Sequence, residues 1–257
     1  MLGAIAGDII GSVHEHLGTK TKHFPLFVEG CQFTDDTVLT VAVADRLLHG
    51  GDYIDLFHDY TFAYPDAGYG GSFLRWALLR HRKPYRSWGN GSAMRVSPIG
   101  FAAGSWDEVL AQARASAEVT HDHPEGIRGA QATAAAIFLA RTGASKNDIR
   151  TLIEREFGYH LAERLDDIRE RYTFDVSCQG SVPQSIIAFL ESTDYEDAVR
   201  NAISLGGDAD TMACIAGGIS EAFYGGVPED IATTALRLLD DRLRRIVKLF
   251  RERYPVR

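Results

Sequence analysis

Several features that mark whole classes of protein are scarce or missing in this sequence. Only three cysteines occur among 257 residues, and no two of them form a CxxC pair. So small and odd a number disfavours a secreted disulfide framework, and we expect reduced thiols in a cytoplasmic protein. No apolar run approaches the ~20 residues that a membrane-spanning helix needs. The apolar first segment carries Asp8 and lacks a preceding basic region, so no signal peptide and no membrane association are expected.

Basic residues are also fewer than acidic residues. The chain has 27 Lys and Arg residues against 35 Asp and Glu residues, which gives a formal net charge of -8. Stable nucleic-acid binding is not expected, because proteins that bind the phosphate backbone need clustered basic residues. This balance leaves room for a single nucleotide-like ligand that is held by local geometry.

Alternating β patterns are equally scarce, and residues 172–177 (YTFDVS) form the one plausible strand. Apolar residues recur instead at helical spacing, as at Leu39, Val43 and Leu47. Residues 126–142 and 182–192 also have helical patterns. Near the end of the chain, one apolar stripe that stops before Pro255 consists of Ile231, Ala235, Leu238, Leu239, Leu243, Ile246, Val247 and Phe250. With no linker, repeat or low-complexity tract, we predict a single all-α domain over residues 1–257.

Two acidic clusters stand where helices should begin. Thr34, Asp35 and Asp36 precede one apolar-periodic segment, and Asp208, Asp210 and Thr211 precede another. Either cluster alone fits an ordinary helix cap worth ~1 kcal/mol.

Together the two clusters offer four carboxylates and two hydroxyl oxygens. Such hard ligands suit Mg²⁺ or Mn²⁺ better than zinc, and like charges this dense would repel without a cation. The pattern therefore predicts two divalent cations, with a shared carboxylate between them.

The first segment supplies two further acids, Asp8 and Glu15. Gly7 and Gly11 allow a close helix approach, and Asp8 is expected to be a buried hydrogen-bonding residue. Glu15 follows the apolar run and can project into the same cleft. Taken singly, both residues fit structural or solvated positions better than catalytic ones.

These segments together resemble the ADP-ribosylglycohydrolase family, which includes the dinitrogenase-reductase-activating glycohydrolases and the ADP-ribosyl-acceptor hydrolases. The matching segments keep the family's order over about residues 2–227 and are GAIAGDIIGSVHE, FTDDT, GYGG, GNGSAMRVSPIG, THDHPEG and SLGGDADTMACIAG. The resemblance implies a compact orthogonal bundle of many helices. It also implies metal-dependent hydrolysis of the glycosidic bond between ADP-ribose and an acceptor, which can be a protein side chain, a nucleobase or a small molecule.

The resemblance also implies roles for single residues. One metal would be held by Thr34, Asp35 and Asp36, and the other by Asp208, Asp210 and Thr211, with Asp210 bridging. Glu15 would be a gate or an acid–base residue, and Asp36 or Glu15 would be the catalytic base. Residues near the substrate would be Tyr69, Gly70 and Gly71 in one turn, Gly89, Asn90, Gly91, Ser92 and Met94 around the diphosphate and distal ribose, and His121 beside that ribose. The resemblance places residues 178–182 where members of the family form the part of the binding site that surrounds the adenosine of the ligand.

Glycines suit this role because they let backbone N–H groups approach phosphate oxygens, and Ser92 can add a hydroxyl donor. Without the resemblance, residues 89–92 fit an ordinary turn and His121 fits a packed histidine.

Two other functions stay open at this point. An HD-type metal phosphohydrolase would use the doublets His58-Asp59 and His121-Asp122, but His58-Asp59 fits the exposed side of a helix better. A non-catalytic ADP-ribose-binding or crystallin-like protein would not need the four carboxylates that this chain retains. The sequence leaves open the acceptor, the choice between Mg²⁺ and Mn²⁺, and the oligomeric state.

Overall fold

A computed structural model describes residues 1–256 and contains, within that range, fifteen α-helices and no strand. The helices are α1 (Leu2–Gly11), α2 (Asp35–His49), α3 (Tyr53–Ala63), α4 (Gly71–Leu78), α5 (Gly91–Met94), α6 (Ser97–Ala102), α7 (Trp106–Glu118), α8 (Pro124–Arg141), α9 (Lys146–Phe157), α10 (Leu165–Arg171), α11 (Cys178–Leu190), α12 (Tyr195–Ile203), α13 (Ala209–Tyr224), α14 (Glu229–Leu238) and α15 (Asp241–Arg253). The all-α prediction is confirmed. Residues 172–177 do not form the strand considered above; Ser177 makes only an isolated bridge to Gly89.

Helices α1 and α13 form the centre of the molecule, and every residue of α1 is buried. Their backbones touch at glycines. A Cβ atom on Gly7 would lie 2.1 Å from the carbonyl oxygen of Ala213, and one on Gly11 would lie 2.5 Å from the Cα of Asp210. The predicted close approach is therefore confirmed, and it brings Asp8 of α1 near the N-terminus of α13.

Helix α2 begins as the sequence predicts. The hydroxyl of Thr34, at the N-cap, accepts a hydrogen bond from the backbone N–H of Asp36. Helix α8 begins with His123 at the N-cap and Pro124 in the first turn, where proline's missing N–H costs nothing.

The apolar stripe near the end of the chain does not form one continuous helix. It is divided between α14 and α15, because Asp240 caps α15 by accepting from the N–H of Leu243. Most of the stripe still faces the core, whereas Leu238 is 37% exposed.

The prediction that His58 and Asp59 both lie on the exposed side of a helix is wrong for His58. Its ring is buried and lies 4.4 Å from the ring of Trp76, centroid to centroid, whereas Asp59 is exposed. The doublet is thus not an exposed helix face, because α4 covers the histidine side of α3.

The three cysteines are free and buried. Within residues 1–256, no helix is both long enough and apolar enough to cross a bilayer.

Candidate functional site

One cleft collects most of the residues that the sequence singles out. It has a volume of ≈ 350 Å³, within the range of ligand sites in proteins. The N-termini of α2 and α13 form its acidic floor, and glycine-rich loops form its walls. Among the predicted residues, its lining includes Glu15, Thr34, Asp35, Asp36, Gly70, Gly71, Gly89, Asn90, Gly91, Met94, His121, Asp208, Asp210 and Thr211.

Two groups of three carboxylates lie on this floor. Asp8, Asp36 and Asp210 bring one oxygen each within 4.8 Å of one another, and so do Glu15, Asp208 and Asp210. Asp210 belongs to both groups. The two acidic clusters of the sequence therefore meet around one shared side chain.

Asp8 orients the first cluster. Its carboxylate accepts hydrogen bonds from the backbone N–H and hydroxyl of Thr34 at 3.0 and 2.7 Å and from the N–H of Thr37 at 3.1 Å. The hydroxyl of Thr37 donates to it as well. The expectation that Asp8 is a buried hydrogen-bonding residue is confirmed, but its place among the site carboxylates was not predicted. The GDxxG spacing in α1 is the only sequence signal for it.

Burial and mutual repulsion dominate the electrostatics of the floor. Burial, followed by the charge of Asp210, raises the pKa of Asp8 to about 7. The same two causes, in the same order, raise the pKa values of Asp35, Asp36 and Asp208 well above the usual range of a carboxyl group. Glu15, half-buried, also has a raised pKa for these reasons.

The floor fits a hard divalent cation. Oδ1 of Asp36 is buried and has no hydrogen-bond partner within residues 1–256, while Oδ2 accepts from the hydroxyl of Thr211. An orphaned carboxylate oxygen among further carboxylates is costly unless a cation approaches it. Oxygen donors of this kind are those that Mg²⁺ and Mn²⁺ take.

Asp35 and Thr34 stand at the side of this floor. The N–H of Asp35 donates to the carbonyl of Ala67 at 2.7 Å, which ties α2 to the loop before α4. Gly68 in that loop has a φ of +95°, a conformation that glycine adopts without strain, and a Cβ atom on it would lie 3.9 Å from Oδ1 of Asp35. Asp35 itself is not a member of either carboxylate group.

Residues 89–94, a glycine-rich turn that continues into the short helix α5, close over the second cluster. Nδ2 of Asn90 donates to Oδ2 of Asp208 at 2.7 Å, and the N–H of Asn90 donates to the carbonyl of Val176 at 2.8 Å. These two bonds hold the loop against both the acidic floor and the segment before α11.

Two predicted substrate residues lie behind the wall of the cleft. Ser92 is fully buried, and its hydroxyl donates to the carbonyl of Gly126 at 2.7 Å, so it is not free as the expected ligand donor. The ring of Tyr69 stacks on Phe73 with centroids 5.5 Å apart. Both side chains are buried in the layer beneath the loops that face the ligand space, and they support those loops from below.

Val176 lines the cleft beside the glycine loop, and Trp88 adjoins this rim with its ring 5.7 Å from the ring of His123, centroid to centroid; both residues are about half exposed. The N–H of Cys178 donates to the carbonyl of Trp88 at 2.9 Å. Residues 178–182 are the first turn of α11 and not a loop, so the irregular segment before that helix forms the rim instead. Sequence patterns did not indicate Trp88, since an isolated tryptophan usually belongs to the core.

Comparisons with known proteins agree with this arrangement. The sequence profile of the family "ADP-ribosylglycohydrolase" matches residues 1–256. ADP-ribosylhydrolase ARH3 of Mus musculus is 29% identical and covers 89% of this chain and 84% of its own length. ADP-ribosylarginine hydrolase Tri1 of Pseudomonas putida (strain GB-1) is 26% identical and covers 90% of this chain and 71% of its own length. A solved structure described as an ADP-ribosylglycohydrolase-related protein complex superimposes with a TM-score of 0.67, at 25% identity, over 98% of this chain and 96% of its own.

Proposed function

The chain belongs to the ADP-ribosylglycohydrolase family, and from that premise we propose that it is a divalent-cation-dependent hydrolase. It cleaves the bond between the anomeric carbon of the distal ribose of ADP-ribose and an acceptor atom. The observation that carries the proposal is the position of Asp210, shared by two carboxylate groups at the floor of a nucleotide-sized cleft.

Two cations would be held by the carboxylates of the floor. Asp36, Asp208 and Asp210 are the central ligands in this proposal, and Thr34, Asp35 and Thr211 adjoin them. Asp8 and Glu15 are each near enough to join one of the two groups. The chemistry that such a cation pair supplies when bound is a water with a lowered pKa and a fixed position for ribose hydroxyls.

The reaction itself needs a base, an acid and negative charge near the anomeric carbon. The bond from the water oxygen to this carbon forms while the bond to the acceptor breaks, and positive charge develops on the ribose ring. In this proposal the carboxylates of Asp35 and Asp36, which both line the cleft, stabilise that charge. We assign Asp36 to accept the proton of water and Glu15, at the open side of the floor, to donate a proton to the leaving acceptor.

The walls would bind the rest of the ligand. The loop containing Gly89 and Gly91 leaves space for the diphosphate beside backbone N–H groups. Trp88 at the rim offers an exposed aromatic face for the adenine ring, with Val176 beside it. His121 lies between these regions, under the glycine loop.

A panel of defined ADP-ribosylated substrates tests the proposal. Arginine-linked, serine-linked, O-acetyl and nucleobase-linked ADP-ribose would be incubated with Mg²⁺ or Mn²⁺ and, in parallel, with EDTA. We expect release of ADP-ribose from at least one linkage, loss of release with EDTA, and recovery when the cation is restored. Turnover that persists in metal-stripped protein would contradict cation dependence. ADP-ribose binding without turnover of any linkage would favour the non-catalytic alternative.

A further inference from the structure

Arg95 is a fully buried cation in the inner wall of the cleft, whose lining includes it. It makes no ion pair within residues 1–256, and its guanidinium lies over the ring of Phe57 at 4.5 Å. Its Nη2 donates to the carbonyl of Ser116 at 2.7 Å and to the hydroxyl of Thr120 at 3.0 Å. Burying a guanidinium without a carboxylate is costly, and the hydrogen bonds of Nη2 offset part of this cost, while Nη1 has no partner among the described residues.

The hydroxyl of Thr120 connects Arg95 to His121. Its oxygen lies 2.8 Å from Nδ1 of His121. A guanidinium has only donors, so Thr120 accepts from Arg95. The hydroxyl proton then needs an acceptor, and among the described residues Nδ1 of His121 is the remaining partner of this hydroxyl.

These contacts of the Thr120 hydroxyl determine the tautomer of the His121 ring. When Nδ1 accepts, the single ring proton of a neutral imidazole sits on Nε2. Burial, followed by the charge of Arg95, lowers the pKa of His121 well below its usual value, so the ring is neutral near pH 7. A protonated Nδ1 would instead leave the hydroxyl proton of Thr120 without an acceptor.

The Nε2 atom faces the glycine loop. A Cβ atom on Gly91 would lie 3.3 Å from Nε2, and one on Gly89 would lie 3.6 Å from it. The absence of side chains at these two positions leaves the nitrogen facing the ligand space of the cleft, which His121 lines.

We propose that Arg95 and Thr120 are positioning residues that hold His121 as the Nε2–H tautomer, so that its N–H donates to an oxygen of bound ADP-ribose. The identity of that ligand rests on the proposed function. The tautomer does not, since it follows from contacts within the chain.

Nitrogen-15 NMR of the ligand-free protein measures the tautomer directly. A long-range proton–nitrogen spectrum distinguishes protonated from unprotonated ring nitrogens, and His121→Asn identifies the His121 signals by their loss. We expect a protonated Nε2 and an unprotonated Nδ1 in the wild type. A protonated Nδ1 would overturn the inference, whether or not ADP-ribose binds.

A matched pair of variants tests the connection through Thr120. Thr120→Val keeps the shape and removes the hydroxyl, whereas Thr120→Ser keeps the hydroxyl. We expect the valine variant to give mixed tautomer signals and to bind ADP-ribose about tenfold more weakly by calorimetry, which corresponds to one hydrogen bond. The serine variant should keep the wild-type spectrum and an affinity within about twofold. Unchanged spectra and affinity in the valine variant would overturn the role of Thr120.

Arg95→Lys keeps the charge but loses the planar fork of donors. We expect mixed tautomer signals in this variant too, and a wild-type spectrum would overturn the role of Arg95. Failure of the wild-type protein to bind ADP-ribose would count against the proposed function, and the NMR result would still decide the tautomer.

Discussion

Oγ1 of Thr211 donates a hydrogen bond to Oδ2 of Asp36 at 3.1 Å, although 175 residues of chain separate the two. Each residue lies in the first turn of its helix, so the bond joins the N-termini of α2 and α13. Because this bond occupies one oxygen of Asp36, the other is left buried and unpartnered at the floor of the cleft. The contact thus joins the two acidic clusters and fixes the Asp36 carboxylate, whose second oxygen is buried without a partner.

The first prediction separates a ligand carboxylate from a helix cap. Asp210→Asn should lower the hydrolysis rate by about 10²-fold or more, because the shared charge of both carboxylate groups is lost. Asp107→Asn changes an exposed acid in the first turn of α7 and should leave the rate within about twofold. Steady-state rates for both variants check this, and equal rates for the two would assign Asp210 a capping role only.

The second prediction concerns pH and cation binding. The raised pKa of Asp8, about 7, means that the fold disfavours the ionised carboxylate. Without a cation, the stability that protonated Asp8 contributes is therefore lost as the pH rises from about 4, the pKa of an aspartate in the unfolded chain, through about 7, its pKa in the fold. Divalent cations favour the ionised form, so the rise in melting temperature caused by Mg²⁺ should be larger at about pH 7.5 than at about pH 5.5.

Differential scanning calorimetry with and without Mg²⁺ measures this difference. The pH-dependent stability contributed by titratable groups remote from the cation is the same in both scans and therefore cancels. Asp210→Asn is the control and should show a smaller rise at both pH values. A rise that does not depend on pH would show that protonation of the floor is not linked to cation binding.

The third prediction tests the rim. Trp88 is about half exposed and stands between the lining residues Ser87 and Gly89, whereas Trp76 is buried and Trp106 lies in α7. ADP-ribose should quench tryptophan fluorescence in the wild type and in Trp106→Phe but not in Trp88→Phe. Trp88→Ala should weaken binding about tenfold, since stacking of a base on an aromatic ring is worth about 1–3 kcal/mol. Wild-type affinity in the alanine variant would place the adenine elsewhere.

The fourth prediction concerns the glycine loop. The φ of Gly91 is not positive, so crowding and not backbone strain makes a side chain unfavourable there. A Cβ atom would lie 3.3 Å from Nε2 of His121 and would occupy the space beside the loop. Gly91→Ala should weaken ADP-ribose binding by about tenfold, and Gly91→Val by more.

Gly104→Ala provides the matched control outside the cleft, where a Cβ atom would meet only the flexible end of Glu108 at 3.4 Å. Isothermal titration calorimetry compares the three variants. If Gly91→Ala and Gly104→Ala bind alike, the diphosphate does not approach the loop at Gly91.

Several features of the fold depend only on local rules. Helical periodicity, the cap at Thr34 and the proline at the start of α8 depend only on neighbouring residues, so they could be predicted without the fold. The oxygen-rich composition of the two acidic clusters was equally visible, because ligand chemistry is a property of residue types.

Which of these groups meet, and which lie away from the cleft, depends on long-range packing. The backbone contact of α1 with α13 brings Asp8 beside Asp210; Gly7 and Gly11 permit this contact, but the residues around Asp8 do not specify which helix makes it. The same packing removes Ser92 and Tyr69 from the ligand space and leaves Trp88 at the rim. Sequence periodicity tells which face of a helix is apolar, but the direction of a loop side chain is decided by long-range contacts, and those form only when the whole core assembles.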